Sequence, residues 1–192
     1  MVSTARATVA GSPRKSVSPL GTTLFLASDA MIFAAFFGAY YLLRASNQPW
    51  PPASVHLDLA RASLATTALL ASSAALVASE RAAERDNRPA ALRWNMAAVA
   101  LGGAFLVNQL LEYSTLSFRI ATHVYGSAYW GLTGLHTLHV AAGLVALLVL
   151  GMRSSHFAET GRRDPWAWGI STYWHLVDAV WLVVFTTIWI LR

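Results

Sequence analysis

The sequence predicts an all-α membrane protein, with five transmembrane helices in a bundle, the N-terminus cytoplasmic and the C-terminus external. Three observations carry that reading. Apolar residues make up 56% of the 192 and charged residues only 12%, the latter about half the share usual in a soluble domain. The apolar residues fall into five long blocks, each close to the ~20 residues a helix needs to cross hydrocarbon. The basic residues lie between the blocks and are shared unevenly between the two sides.

Residues 1–18 are small and polar, with Arg6, Arg14 and Lys15. They read as a disordered cytoplasmic tail, and their lack of an apolar stretch argues against a secretory signal. Residues 19–192 form one membrane domain. Its spans are placed at about residues 20–43, 59–79, 94–116, 127–152 and 168–191. Backbone groups in lipid must be satisfied within the segment, so each span is a helix. The loop Trp50-Pro51-Pro52 reads as rigid and extended. The second span is rich in small residues, among them Ala62, Ala65, Thr66, Ala71, Ser72, Ser73 and Ala75. Such a helix suits close packing against other helices, its own or a partner's.

The loops set the orientation. One side receives Arg6, Arg14, Lys15, Arg81, Arg85, Arg88, Arg93, Arg153, Arg162 and Arg163. The other receives Arg44, Arg61, Arg119 and Arg192. The positive-inside rule then places the N-terminus in the cytoplasm. Trp50, Trp94, Trp166 and Trp168 stand at span ends, where interfacial aromatics belong. The formal charge of +5 is spread over loops and forms no basic face, which argues against a nucleic-acid partner. With no cysteine, disulfides, thiolate metal sites and cysteine-bridged copper centres are excluded.

Six ionisable residues fall inside the spans: Asp29, Glu112, His136, His139, His175 and Asp178. At ~1.5 Å of rise per residue, Asp29, His139 and Asp178 lie roughly 14–18 Å from the nearest span end, near the midplane. Glu112 lies nearer the outer surface. Intramembrane charges are expensive and mark function or tight pairing. His136 and His139 share one helix face, as do His175 and Asp178. Two readings stay open for the histidine pair. It could begin a metal or haem site, which would need further ligands. Alternatively, imidazoles and carboxylates satisfy one another within the bundle. Asp29 could likewise be a proton relay or a packing contact. Five-helix diheme cytochromes need four intramembrane histidines in two leaflets. Here there are three, two of them one turn apart, and His56, His123 and His156 fall in loops. The chain alone does not supply that haem site.

The last two spans carry a resemblance to a family. Tyr125-Gly126-Ser127, then Thr133-Gly134-Leu135-His136-Thr137-Leu138-His139-Val140 with Gly143, then Tyr173-Trp174-His175-Leu176-Val177-Asp178-Ala179-Val180-Trp181, closely resemble subunit III of haem–copper cytochrome c oxidase. Ser28-Asp29 with Phe33, Phe36 and Phe37, the Trp50-Pro51-Pro52 loop and Glu112-Tyr113 extend it upstream. Only residues 1–18 lie outside it. Two departures stand out. The best-known members have seven helices, and the two N-terminal ones, which wall a lipid-filled cleft, have no counterpart here. Asp29 stands where the family usually carries a carbodiimide-reactive glutamate.

The resemblance implies a non-redox subunit with no catalytic, cofactor or metal residues of its own. Haem and copper would sit in partner subunits I and II. Subunit I would be the main contact, alongside subunit II, phospholipids and a small extra subunit or a respiratory supercomplex. The implied work is to stabilise subunit I, bind lipid and support proton uptake during oxygen reduction, in the bacterial cytoplasmic (inner) membrane. The six intramembrane polar residues would form interhelical, subunit or lipid-headgroup contacts, with Trp174 and Trp181 as packing anchors. The alternative is an accessory subunit of a quinol oxidase or nitric oxide reductase. A transporter would need an internal inverted repeat, and none is visible.

Overall fold

The computed structural model describes residues 19–154 and 165–191. The tail at 1–18, and His156, Arg162, Arg163 and Arg192, lie outside the described residues. Five helices are long and apolar enough to cross a membrane. They are α1 (Pro19–Ser46), α2 (Leu59–Glu84), α3 (Arg88–Thr115), α4 (Val124–Ser154) and α5 (Pro165–Phe185). A π-helical segment, Thr186–Ile190, continues α5. No strand is found among the described residues.

Most helices run past the span limits that hydropathy sets. The connection between α2 and α3 shows why. Asp86 takes a left-handed conformation (φ 54°). Its N–H donates to the Ala83 carbonyl at 3.0 Å, and the Asn87 N–H to the Ala82 carbonyl at 3.0 Å. This pair of bonds closes a helix C-terminus. Asn87 then caps α3 by accepting from the Ala90 N–H at 3.2 Å, with Pro89 in the first turn. Three residues therefore replace the longer loop that hydropathy suggests, because polar residues outside the hydrocarbon remain good helix formers. Asp58 caps α2 in the same way, accepting from the Arg61 N–H at 3.0 Å. At the start of α4, Gly126 is required. A Cβ there would stand 2.7 Å from the Arg119 carbonyl oxygen.

The 47–58 connection corrects the extended reading of Trp50-Pro51-Pro52. The Gln48–Pro49 and Trp50–Pro51 bonds are cis, and the Val55 N–H turns back to the Pro52 carbonyl at 2.9 Å. Trp50 is buried rather than interfacial. Its indole N–H donates to the Tyr40 hydroxyl at 3.0 Å, and its ring meets Tyr125 edge-on at 5.1 Å. Trp94, Trp166 and Trp168 are exposed at helix ends, as interfacial aromatics are.

Helices α2, α3, α4 and α5 close a ring of neighbours, α2 on α3, α3 on α4, α4 on α5 and α5 on α2. Helix α1 lies outside the ring against α4 and α5. Large apolar side chains such as Met31, Leu64 and Leu138 point outward, as a lipid-facing surface permits. Two tryptophans two turns apart on α5 fill the ring, and both are fully buried. Trp174 donates to the Ser72 hydroxyl of α2 at 3.1 Å. Its ring occupies the sockets left by Gly102 on α3 and Gly143 on α4, where an added Cβ would come within 2.8 and 2.7 Å of it. Trp181 donates to the Thr66 hydroxyl of α2 at 2.9 Å. It meets Phe105 of α3 edge-on at 4.8 Å and stacks on His136 of α4 at 4.8 Å. Each indole thus touches all three other helices of the ring.

Candidate functional site

The polar groups inside the bundle form three separate clusters, each bridging neighbouring helices. The first joins α1 to α4. Asp29 Oδ1 lies 2.8 Å from His139 Nε2. His139 Nδ1 lies 2.7 Å from the Leu135 carbonyl, Tyr173 donates to the His139 carbonyl at 3.1 Å, and Phe33 meets the ring edge-on at 4.9 Å. A carbonyl only accepts, so Nδ1 carries a proton. The Nε2 contact then ties the ring to the carboxyl group of α1. Asp29 Oδ2 has no hydrogen-bond partner.

The second cluster joins α2 to α5. The Ser73 hydroxyl donates to Asp178 Oδ2 in a very short contact. Its oxygen is also 3.0 Å from His175 Nδ1. With its proton committed to the carboxylate, Ser73 accepts from Nδ1–H. The third cluster joins α3 to α4 nearer one end, where Tyr129 donates to Glu112 Oε1 at 3.3 Å. Beside it, Tyr113 pairs with Thr137 at 3.0 Å. Arg61 of α2 donates to the Asn108 side chain and carbonyl at 2.8 and 3.2 Å.

His136 departs from the polar contact expected of it. It is fully buried, and neither ring nitrogen has a hydrogen-bond partner. Its contacts are aromatic: Trp181, Phe105 and Phe33. Although His136 and His139 lie one turn apart and both meet Phe33, their other neighbours differ. Among the described residues no three His, Cys, Asp or Glu side chains converge as a metal site. Headgroup contact does not fit Asp29, His139 or Asp178, which sit mid-helix with partners inside the bundle.

Sequence reasoning paired none of these groups across helices. The missing partners are hydroxyls: Ser72, Ser73, Thr66 and Tyr129. In the second span they are visible as small residues, and nothing in a single sequence marks them as acceptors for α5. The glycine sockets at 102 and 143 were equally silent.

A family model for cytochrome c oxidase subunit III matches residues 4–191. A cytochrome c oxidase subunit 3 of Corynebacterium diphtheriae is 35% identical over 190 residues, covering 96% of this chain and 93% of the relative. One from Thermostichus vulcanus is 32% identical over 177 residues, covering 90% and 86%. A probable subunit 3 of Nocardia farcinica is 35% identical over 183 residues, covering 93% and 90%.

Proposed function

Because the chain belongs to the cytochrome c oxidase subunit III family, we propose that it is the non-redox third subunit of a haem–copper oxidase in an aerobic respiratory chain. Family membership makes it part of a multi-subunit oxidase complex and a multi-pass membrane protein. The finer reading is that it packs on the subunit that reduces oxygen, stabilises it, holds phospholipid beside it and supports its proton uptake. Haem and copper belong to the partner subunits, and the chain carries no catalytic centre of its own. The N-terminus lies in the cytoplasm and the C-terminus outside, in a bacterial cytoplasmic membrane, as the basic residues favour.

One observation carries this reading. The family-motif residues Asp29, His139, His175, Asp178, Trp174 and Trp181 each place a polar atom against a neighbouring helix of the same chain, while Asp29 Oδ2 and Asp178 Oδ1 meet no partner. Their visible work is to fix a bundle. Contacts of this kind are worth about 0.6–2 kcal/mol each, so their chief effect is on helix register.

The test is a reduced-minus-oxidised visible spectrum of the tagged chain, purified from its native membrane in mild detergent. A haem A band in step with the chain is expected. Purification with b-type haem alone would overturn the assignment in favour of a quinol oxidase or nitric oxide reductase partner.

A further inference from the structure

We propose that the bundle binds ordered water between His136 of α4 and Gln109 of α3, at the inner end of a polar vein that starts beside Glu112. His136 is fully buried, and neither of its ring nitrogens meets a hydrogen-bonding group of the protein. A neutral imidazole carries one N–H donor and one acceptor nitrogen, so both functions go unanswered by side chains or backbone. Two unanswered polar functions in an apolar interior are costly. A phenylalanine would fill much the same space without that cost. Two further groups, on two other elements, share the condition. Gln109 Nε2 on α3 and Trp189 Nε1 on the π-helical segment are buried and unpartnered.

Aromatic contacts place these three groups on one side of Trp181, the side that faces the α3–α4 connection. His136 stacks on Trp181 at 4.8 Å and meets Phe105 edge-on at 5.9 Å. Gln109 lies one turn beyond Phe105 on α3. That is roughly 6 Å along the axis, about the span of two hydrogen bonds through one water. Trp189 lies 5.8 Å from Trp181 and 6.0 Å from Tyr129. Tyr129 donates to Glu112, so polar groups continue from His136 toward the end of the bundle. Beyond Trp181 in the other direction the interior is apolar and tightly filled. Val140, Leu144 and Leu147 are buried there, and Trp174 has its N–H on Ser72 and its rings against two glycines. The chemistry of the three groups selects the ligand. Gln109 and Trp189 donate, while the imidazole donates at one nitrogen and accepts at the other. A single acceptor is too little for a cation. Water both donates and accepts, and a buried water typically makes about three such bonds.

The experiment is pulsed X-ray radiolysis of the full chain in its native membranes, followed by peptide mapping of oxidised side chains. Hydroxyl radicals react close to the water that yields them, so bound water marks the buried side chains beside it. Trp181 and Trp174 are both fully buried, two turns apart on one helix, and give an internal comparison. Trp181 should be oxidised about tenfold faster than Trp174, with His136 marked beside it, because only Trp181 borders the water. Equal marking of the two tryptophans, or no mark on Trp181 and His136, would overturn the proposal. His136→Phe and Gln109→Leu each remove one side of the site. Each should lower marking of Trp181 toward the level of Trp174 and leave exposed Trp94 unchanged. Marking of Trp181 that persists at full rate in either folded variant would refute the site. Should neither variant fold, the comparison of Trp181 with Trp174 in the unmodified chain decides alone.

Discussion

Replacing Gly143 by alanine adds one methyl group at the point where the ring of four helices is tightest. The new Cβ would stand 2.7 Å from Trp174 Cε3, 2.9 Å from Cζ3 and 3.3 Å from Tyr173 Cε1. The indole cannot step aside. Its far edge already fills the Gly102 socket, at 2.8 Å from where a Cβ would lie, and its N–H is tied to Ser72. Overpacking of this kind destabilises by about 1–3 kcal/mol. Gly134, on the same helix, has nothing within 4 Å of its virtual Cβ. Gly134→Ala therefore gains only the helix-propensity term, about 0.5–1 kcal/mol. Both variants share that gain, so their difference isolates the clash. For a chain of this length about 1–3 kcal/mol corresponds to roughly 3–10 °C in Tm. The assay is thermal unfolding of both variants in the same detergent, followed by circular dichroism and tryptophan fluorescence. Gly143→Ala melting at or above Gly134→Ala would refute the claim that Trp174 is wedged between glycines.

Other consequences can be measured on the same preparations. Asp29→Ala and His139→Ala should each destabilise, and their double variant should reveal a coupling of about 0.6–2 kcal/mol; additive effects in that cycle would contradict the 2.8 Å pairing. Trp181→Phe and Thr66→Val each remove one end of the 2.9 Å hydrogen bond, so each should cost about 0.5–1.5 kcal/mol. The second change should add little once the first is made, and full additivity would deny the bond. Asp86→Gly should be neutral or stabilising at the left-handed C-terminus of α2, whereas Asp86→Val should destabilise by about 1 kcal/mol or more; circular dichroism melts distinguish the pair. In the assembled oxidase, His175→Leu should shorten the lifetime of activity during turnover while the initial rate of oxygen consumption persists. An immediate, complete loss of turnover in fully assembled enzyme would show that His175 does more than hold helices together.

The five spans were legible because length and apolarity alone decide them; α1, α2 and α4 contain the expected segments, while α3 and the π-helical end of α5 each stop one residue short of theirs. Their ends were less legible. Hydropathy stops at the edge of the hydrocarbon, whereas α2 runs on through Glu80, Arg81 and Glu84 until the turn at Asp86 halts it. The polar residues stand out in the sequence by their depth, but spacing along one helix says little about their neighbours. His136 and His139 lie one turn apart, yet one stacks on an indole of α5 and the other reaches a carboxyl of α1. Residues three apart differ by about 60° in direction around a helix, which is enough to face different elements in a crowded bundle. The Trp174 sockets needed glycines on two other helices at matching heights, and no local pattern encodes that coincidence.

The placement of α1 outside the ring also has a consequence in time. Asp29 meets His139 across 110 residues of sequence, and Tyr41 meets Thr187, 146 residues on, at 3.2 Å. At synthesis rates of about 5–20 residues per second, the first helix precedes its polar partner on α4 by roughly 5–20 s. During that interval a carboxyl group sits at the centre of a helix that has nothing of its own chain to lean on. The first-born helix is thus the last to be anchored, and its early residence in the membrane depends on the insertion machinery or on its own hydropathy. The arrival of His139 completes the pair.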